Sequence, residues 1–301
     1  MKKVQASAPG KAVLSGEYVV LDGAPAIAVA LNRRVQVTIS KASAGSHELT
    51  APGLADGRWR FQADKSGKID WQDASAKELF GLFESVWCRV NPEIDRRLEI
   101  CVESGEFFDA RSEGKLGIGS SAAVATALSG ALGCYSNDSP DVLATAAAAH
   151  RDFQCGRGSG VDVAASCSGG VLNYRLNSAG APVALNWPDG LSCRFFWSGT
   201  SAGTMERIEK YCSVGNGSAA EGSKVILVAA AENVAAKWLS GAADQLVASF
   251  ADYNDALQSF SDDYGLDIFA GGHNEMTALA SDCGIVYKPC GAGGGDIGVA
   301  L

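Results

Sequence analysis

The chain has 301 residues, 47% hydrophobic and 20% charged, which supports one large or two smaller folded domains and excludes global disorder. A net charge of −9 argues against nucleic acid as a partner, since a phosphate backbone needs a basic stripe, although a small phosphate pocket can still be locally basic. No apolar run is long enough to span a membrane, Met1–Ser7 leads into no signal-peptide core, and nine cysteines without a Cys-x-x-Cys pair read as reduced thiols of a cytoplasmic protein.

Val4 to Ala8 reads as a short strand ending at Pro9-Gly10. Ala12 to Leu21 follows, with Val13, Leu14, Val19, Val20 and Leu21 as its apolar content, and Asp22-Gly23 is a hairpin signal. Ala26–Leu31 and Arg33–Ser40 are two further strands, the second alternating through Val35, Val37 and Ile39. Trp59–Ala63 is another, between the polar, glycine-bearing segments 43–57 and 64–70. A helix over 74–90 places Leu79, Leu82, Phe83, Val86 and Val90 on one face, and Asn91-Pro92 stops it. Leu98–Val102 is a strand, followed by a polar loop and a helix over 121–132. Ser139-Pro140-Asp141 starts the next helix, with a serine cap and proline at the first helical position, and that helix carries Val142 to Phe153. Gly156–Gly160 breaks it; Val161–Cys167 is a short apolar helix ended by Gly169-Gly170. Strands follow at 171–176, 182–187 and 193–197, then helices at 203–213, 221–239, 242–263 and 273–282. The polar stretch 213–223 reads as a mobile loop, and a strand at 285–288 enters Gly291-Ala292-Gly293-Gly294-Gly295-Asp296. The change from β-rich to α-rich near residue 200 suggests two lobes.

Three glycine-rich segments, 114–121, 156–160 and 291–295, share one explanation if backbone closely approaches a ligand; each alone also reads as a flexible turn. In Gly114-Lys115-Leu116-Gly117-Ile118-Gly119-Ser120-Ser121-Ala122, unpaired N–H groups at a helix start favour an anion, phosphate above all. No Gly-Lys-Ser/Thr closes the loop as a Walker motif, and the third glycine of a dinucleotide fingerprint is absent. Nor does it form the Gly-x-Ser-x-Gly elbow of a serine hydrolase. Lys11, beside the Pro9-Gly10 turn, is either a point charge for a phosphate or a solvated lysine. Asp162, just past Gly158-Ser159-Gly160, is either a general base for a hydroxyl or a partner of the helix dipole. Glu17, near Tyr18 and Asp22, orients Lys11 or faces solvent, and His150 is a packed, hydrogen-bonded histidine or a site residue.

Taken together, Ser7-Ala8-Pro9-Gly10-Lys11 through Gly16-Glu17-Tyr18, then Gly117–Ala123, then Gly291–Asp296 resemble, in order, the three motifs of the GHMP small-molecule kinases. Within that superfamily the pattern is most similar to the phosphomevalonate kinases: Tyr18 stands where mevalonate kinases carry histidine, and the run Gly158–Ala165 with Ala149-His150 looks like the neighbourhood of their catalytic aspartate. Trp197–Thr204 also resembles a loop of those enzymes. The resemblance implies an α+β, two-lobed fold: an N-terminal ATP-binding lobe (1–190), ribosomal-protein-S5-like with a left-handed β-α-β unit, and a ferredoxin-like C-terminal lobe (191–301). It implies ATP and Mg²⁺ as cofactors, with Lys115, Gly117, Ile118, Gly119, Ser120, Ser121 and Ala122 holding the triphosphate. Lys11 and Asp162 would be the catalytic pair. Glu17, Tyr18, Arg157, Ser159, Gly160, Gly293, Gly294 and Asp296, with Lys11 and Asp162, would contact substrate.

Two features depart from the pattern. Arg151 occupies the position of the mevalonate kinases' magnesium-binding glutamate, so Ser120 and Ser121, phosphates and water are left to hold the metal. The chain stops at Leu301, soon after the third motif, where the family continues with a helix and a strand; either the chain is shortened or its second lobe is reduced. The expected reaction is transfer of the γ-phosphoryl group of ATP to 5-phosphomevalonate by a monomer or homodimer. Mevalonate kinase or another alcohol kinase is the runner-up; a diphosphomevalonate decarboxylase and a non-catalytic nucleotide-binding homologue rank lower. For the substrate's own phosphate the cationic candidates are Arg157 first, then Arg33, Arg34 and Lys115.

Overall fold

The structure is a computed structural model describing residues 2–43, 45–92, 96–137, 141–176, 181–213 and 220–301. In chain order it contains β1 (Lys3–Ser15), β2 (Ala26–Lys41), β3 (His47–Ala51), β4 (Ala55–Ala63), β5 (Ile69–Trp71), α1 (Ala76–Leu79), α2 (Gly81–Val90) and β6 (Leu98–Glu103). Then come α3 (Ser120–Ser136), α4 (Val142–Phe153), α5 (Val161–Ser168), β7 (Val171–Tyr174), β8 (Val183–Leu185) and β9 (Arg194–Trp197). α6 (Thr204–Ser213), α7 (Glu221–Ser240), α8 (Ala243–Tyr264), α9 (His273–Asp282), β10 (Tyr287–Pro289) and β11 (Ile297–Ala300) complete the order. The fold is mixed α+β, as expected. No helix among the described residues is long and apolar enough to cross a membrane.

The chain divides into two compact units. The first comprises Met1–Gly10, Leu31–Phe108 and Gly119–Cys167; the second comprises Lys11–Ala30, Asp109–Ile118 and Ser168–Leu301. In the first, β6 pairs antiparallel with the later part of β2 and parallel with β3, and β4 joins β3 to β5. Alternation buries Val35, Val37 and Ile39 completely, and α2, α3 and α4 pack against one another. α3 is buried on nearly every face through Ala122, Ala123, Ala125, Ala127, Leu128, Ala131 and Leu132, and its alanines let neighbouring helices approach closely. Phe61 is surrounded by the rings of His47, Trp71, Phe83 and Trp87. Burial, and then the charge of Arg97, hold the His47 imidazole down at about 4, so this ring is neutral in the core.

In the second unit the start of β2 pairs with β7, and β7 with β8. A separate antiparallel sheet has the order β10-β11-β9. α7 and α8 form a packed helical pair, and Tyr18, Tyr211, Phe260 and Tyr264 make an aromatic cluster.

Several local expectations change. β1 runs unbroken through Pro9-Gly10, and β2 joins the two strands expected at 26–31 and 33–40. Asp22-Gly23 is no hairpin: Val19–Asp22 is a 3₁₀ turn closed by Gly23 at φ 90°. β3, β5 and β11 fall where no strand was expected. The helix expected over 74–90 is broken at Phe80 (φ −116°, ψ 27°), which resets the helical phase: Phe83, Val86 and Trp87 are buried, whereas Leu79 is 45% exposed. Ser139, Pro140 and residues 214–219 of the expected loop lie outside the described residues; Asp141 caps α4, its carboxylate accepting from the Ala144 N–H at 3.0 Å.

Candidate active site

The second unit brings four of its segments to one place. The Lys11 N–H donates to the Ile118 carbonyl at 2.8 Å, tying β1 to the loop before α3. Gly117, at φ 72°, has Asp296 against its Cα so closely that a Cβ would overlap the carboxyl group. Asp296 is itself fixed at φ 59°: its carbonyl accepts from the Ser198 N–H at 2.8 Å, its N–H donates to the Thr200 carbonyl at 2.7 Å, and Oδ1 accepts from the Ala202 N–H at 3.0 Å. Burial pushes its carboxyl pKa up, against the Ala202 N–H and the charges of Lys11, Lys115 and Arg207. The sequence pointed to the 197–204 segment only by resemblance; the main chain of Asp296, together with its carboxylate, is what ties it down.

Gly291–Gly295 takes positive φ at each glycine, and the space demands it at Gly293, where a Cβ would overlap Ile268. The Gly294 N–H donates to the Ile268 carbonyl at 2.6 Å. His273 Nε2, facing the Gly295 carbonyl at 2.8 Å, must donate, which leaves Nδ1 to accept from the Tyr287 hydroxyl at 2.8 Å. Burial lowers the pKa of this imidazole.

Glu17 does not face solvent. Lys288 Nζ donates to Glu17 Oε1 and to the Pro289 carbonyl, each at 2.5 Å, and both side chains of the pair are at most 1% exposed. The Tyr253 hydroxyl donates to Glu17 Oε2 at 2.6 Å and accepts from the N–H groups of Gly16 and Glu17 at 2.8 and 3.2 Å. Every charge in this network has a partner, the condition for burying charges without a large penalty. Its effect is to hold the 16–18 segment on the strand that leads into the 291–295 loop. Tyr18 follows at φ 60°, a strained value for a tyrosine, and its hydroxyl donates to the Ala292 carbonyl at 2.7 Å. Lys288, Tyr253, His273 and Arg207 were not picked from the sequence. They are single residues on separate helices and strands, with no local spacing to mark them.

In the first unit, Gly119 caps α3 in the left-handed conformation (φ 78°), with no side chain hydrogen-bonded to the cap and no acidic residue in the first turn. The N-terminal N–H groups of Ser120, Ser121 and Ala122 thus present the positive end of a 17-residue helix. His150 is buried and hydrogen-bonded, with Nε2 3.0 Å from Ser121 Oγ. A Ser121 hydroxyl that donates to Nε2 keeps both oxygen lone pairs for a cation. Ser159 is buried and its Oγ accepts from the Val161 N–H at 3.3 Å. Gly160, at φ 81°, leads into α5, where Asp162 lies half-buried in the first turn. Arg157 is exposed beside this helix start, and Arg151 is exposed on α4. Arg34 is engaged in a tie to Ser7 Oγ and the Ser7 carbonyl, each at 3.0 Å.

Among the described residues no group of three or more His, Cys, Asp or Glu side chains could hold a metal ion. The oxygen donors here fit Mg²⁺ nonetheless: that ion keeps several waters, takes phosphate oxygens, and needs few protein ligands.

Residues 96–170 match the GHMP kinases N terminal domain family. Over 336 aligned positions the chain is 30% identical to the phosphomevalonate kinase of Streptomyces sp. (strain CL190), covering 98% of this chain and 88% of that one. It is 36% identical over 173 positions to the mevalonate kinase of Methanothermobacter thermautotrophicus, a match that spans 56% of this chain and half of that relative's length. Among solved structures, the phosphomevalonate kinase of Streptococcus pneumoniae, in complex with phosphomevalonate and AMPPNP, superposes with a TM-score of 0.78 at 18% identity, covering 100% of this chain and 92% of that one. With its three motifs in order, its fold and a full-length relative, the chain belongs to the GHMP kinases, a family of small-molecule phosphotransferases.

Proposed function

We propose that this chain transfers the γ-phosphoryl group of ATP to 5-phosphomevalonate, giving the diphosphate. The observation that carries the reading is the extent of its likeness to a phosphomevalonate kinase, 88% of that relative's length, against half of the mevalonate kinase's. The division of labour follows the chain: 1–190 as the ATP-binding lobe and 191–301 as the C-terminal lobe. The N-terminus of α3, with Lys115, Gly117, Ile118, Gly119, Ser120, Ser121 and Ala122, holds the triphosphate, because uncapped N–H groups and a dipole end stabilise an anion without a rearrangement. Ser120 and Ser121, with phosphate oxygens and water, would hold Mg²⁺, which would supply charge neutralisation on the transferring group.

Lys11 is the fixed cation of the reaction, and Asp162 aligns the acceptor. With a phosphorylated substrate the attacking atom is a phosphate oxygen whose second ionisation lies near pH 6. Asp162 therefore takes a proton only from the monoanion and positions the dianion above that pH. An alcohol acceptor would need the base at every pH. Glu17, Tyr18, Ser159, Gly160, Gly293, Gly294 and Asp296 shape the substrate's surroundings, and the runner-up, mevalonate kinase, would use the same residues.

The deciding measurement is ADP release by the purified full chain with ATP and Mg²⁺, over mevalonate, phosphomevalonate, diphosphomevalonate, homoserine and galactose. The highest kcat/KM is expected for phosphomevalonate. A higher value for mevalonate replaces this reading with the runner-up.

A further inference from the structure

Arg207, on α6, lies against the glycine loop: its guanidinium fills the space a Cβ on Gly294 would need. Its Nε donates to the Leu266 carbonyl at 3.3 Å, which fixes the plane of the group. Four arginines that are more exposed are tied to carboxylates: Arg58 and Arg60 to Glu48, Arg89 to Asp152, Arg175 to Glu232. Among the described residues Arg207 has no ion-pair partner, and Nη1 and Nη2 have no acceptor. A half-buried guanidinium with four unused N–H donors is a site prepared for an anion, since desolvating a cation without a counter-charge is costly. Its surroundings belong to the candidate site. The charge of Arg207 acts on both the Tyr18 hydroxyl and the Asp296 carboxyl, and the same loop has Lys11 Nζ 4.0 Å from where a Cβ on Gly291 would stand.

We propose that Arg207 binds the phosphate group that the acceptor substrate already carries, with its terminal nitrogens in a forked contact above Gly294. This rests on the reading of the acceptor as a phosphorylated alcohol. The fork matches two phosphate oxygens, which an ammonium cannot do. Gly294 sits at φ 69°, and a side chain there would require the guanidinium to move. The phosphates of ATP share this chemistry and are the other source of an anion, so the test separates the two.

The experiment is steady-state kinetics on wild type, Arg207→Ala, Arg207→Lys and Arg157→Ala, with ATP and phosphomevalonate varied in turn and thermal melts as the check on folding. Arg207→Ala is expected to raise the KM for phosphomevalonate about 10–100-fold, the loss of a charge-assisted contact, with the KM for ATP within about twofold of wild type. Arg207→Lys is expected to recover part of that loss, since it restores the charge without the fork. If Arg207→Ala fails to fold, Arg207→Lys is judged by the same split between the two KM values. A rise in the ATP KM instead, no change in either, or the phosphomevalonate effect appearing in Arg157→Ala but not at Arg207 overturns the assignment. A wild-type enzyme that ignores phosphomevalonate overturns the substrate reading itself, and the wild-type data alone reveal that case.

Discussion

The loops at 156–160 and 291–295 look alike as sequence and differ as physical objects. In 291–295 the backbone is closely packed from Gly293 on: a Cβ on Gly293 would overlap Ile268, one on Gly294 would meet the Arg207 guanidinium, and one on Gly295 would stand 2.7 Å from the Thr200 carbonyl. Around Gly156 nothing lies within 4 Å of a built Cβ, and Gly158 faces only the flexible end of Gln154. Both loops use positive φ, so both need glycine. Only the second also needs glycine for room. One loop is a close-packed surface, whereas the other is a turn with open space at Gly156 that leads into α5 and Asp162.

The comparison separates catalytic from structural costs. Asp162→Asn, beyond the open loop, is expected to lower kcat about 10²–10⁴-fold while leaving the ATP Kd and the melting temperature near wild type. With phosphomevalonate the deficit should widen below about pH 6, where the acceptor phosphate holds a proton. Near-normal kcat in the folded variant would remove Asp162 from the reaction.

Glycine replacements probe the packing directly. Gly293→Ala is expected to destabilise the protein by about 2–4 kcal/mol, from a left-handed alanine and overlap with the Ile268 backbone. Gly156→Ala should cost about 1 kcal/mol, the conformational part alone. Denaturant unfolding measures both, and equal costs would erase the distinction.

The smallest effect is on pH. Burial holds the His273 imidazole below its ordinary 6.5, so the unfolded chain takes up the proton first. The stability contributed by the neutral ring is full above about pH 6.5 and is lost as pH falls towards the folded value. Because His273 holds Gly295, protection from hydrogen exchange at Gly294 and Asp296 should fall a few-fold relative to Gly156 and Arg157 between pH 7 and pH 5. An unchanged ratio would mean that the loop does not depend on His273.

Much of this was legible in the sequence because it is local. The helices of the last third lie within a residue or two of their expected limits, since 3.6-residue periodicity and glycine ends mark them. The three glycine motifs are contiguous, so they too could be read directly. β3 and β11 were not legible: His47–Ala51 is short and mixed in polarity, and Ile297–Ala300 follows a glycine run that suggests only loop. The break at Phe80 is tertiary, because Phe80 packs edge-on against Trp59 and is 4% exposed. Glu17 illustrates the limit at the site. Its neighbours in sequence suggested a tie to Lys11, yet its partners are Lys288 and Tyr253, more than 200 positions away.

The order β10-β11-β9 has a consequence for how the protein is made. β11 is the middle strand, so β9 and β10 have no sheet until it arrives, and Ile297 finds Trp197 only across about 100 residues of intervening chain. Contacts that far apart close slowly, and the loop that carries Asp296 forms in the same event. During synthesis Phe195 and Phe196 must therefore wait as an unpaired edge, a ready template for another chain. That interval exposes the nascent kinase to edge-to-edge association, which a chaperone shielding a short aromatic strand would lessen.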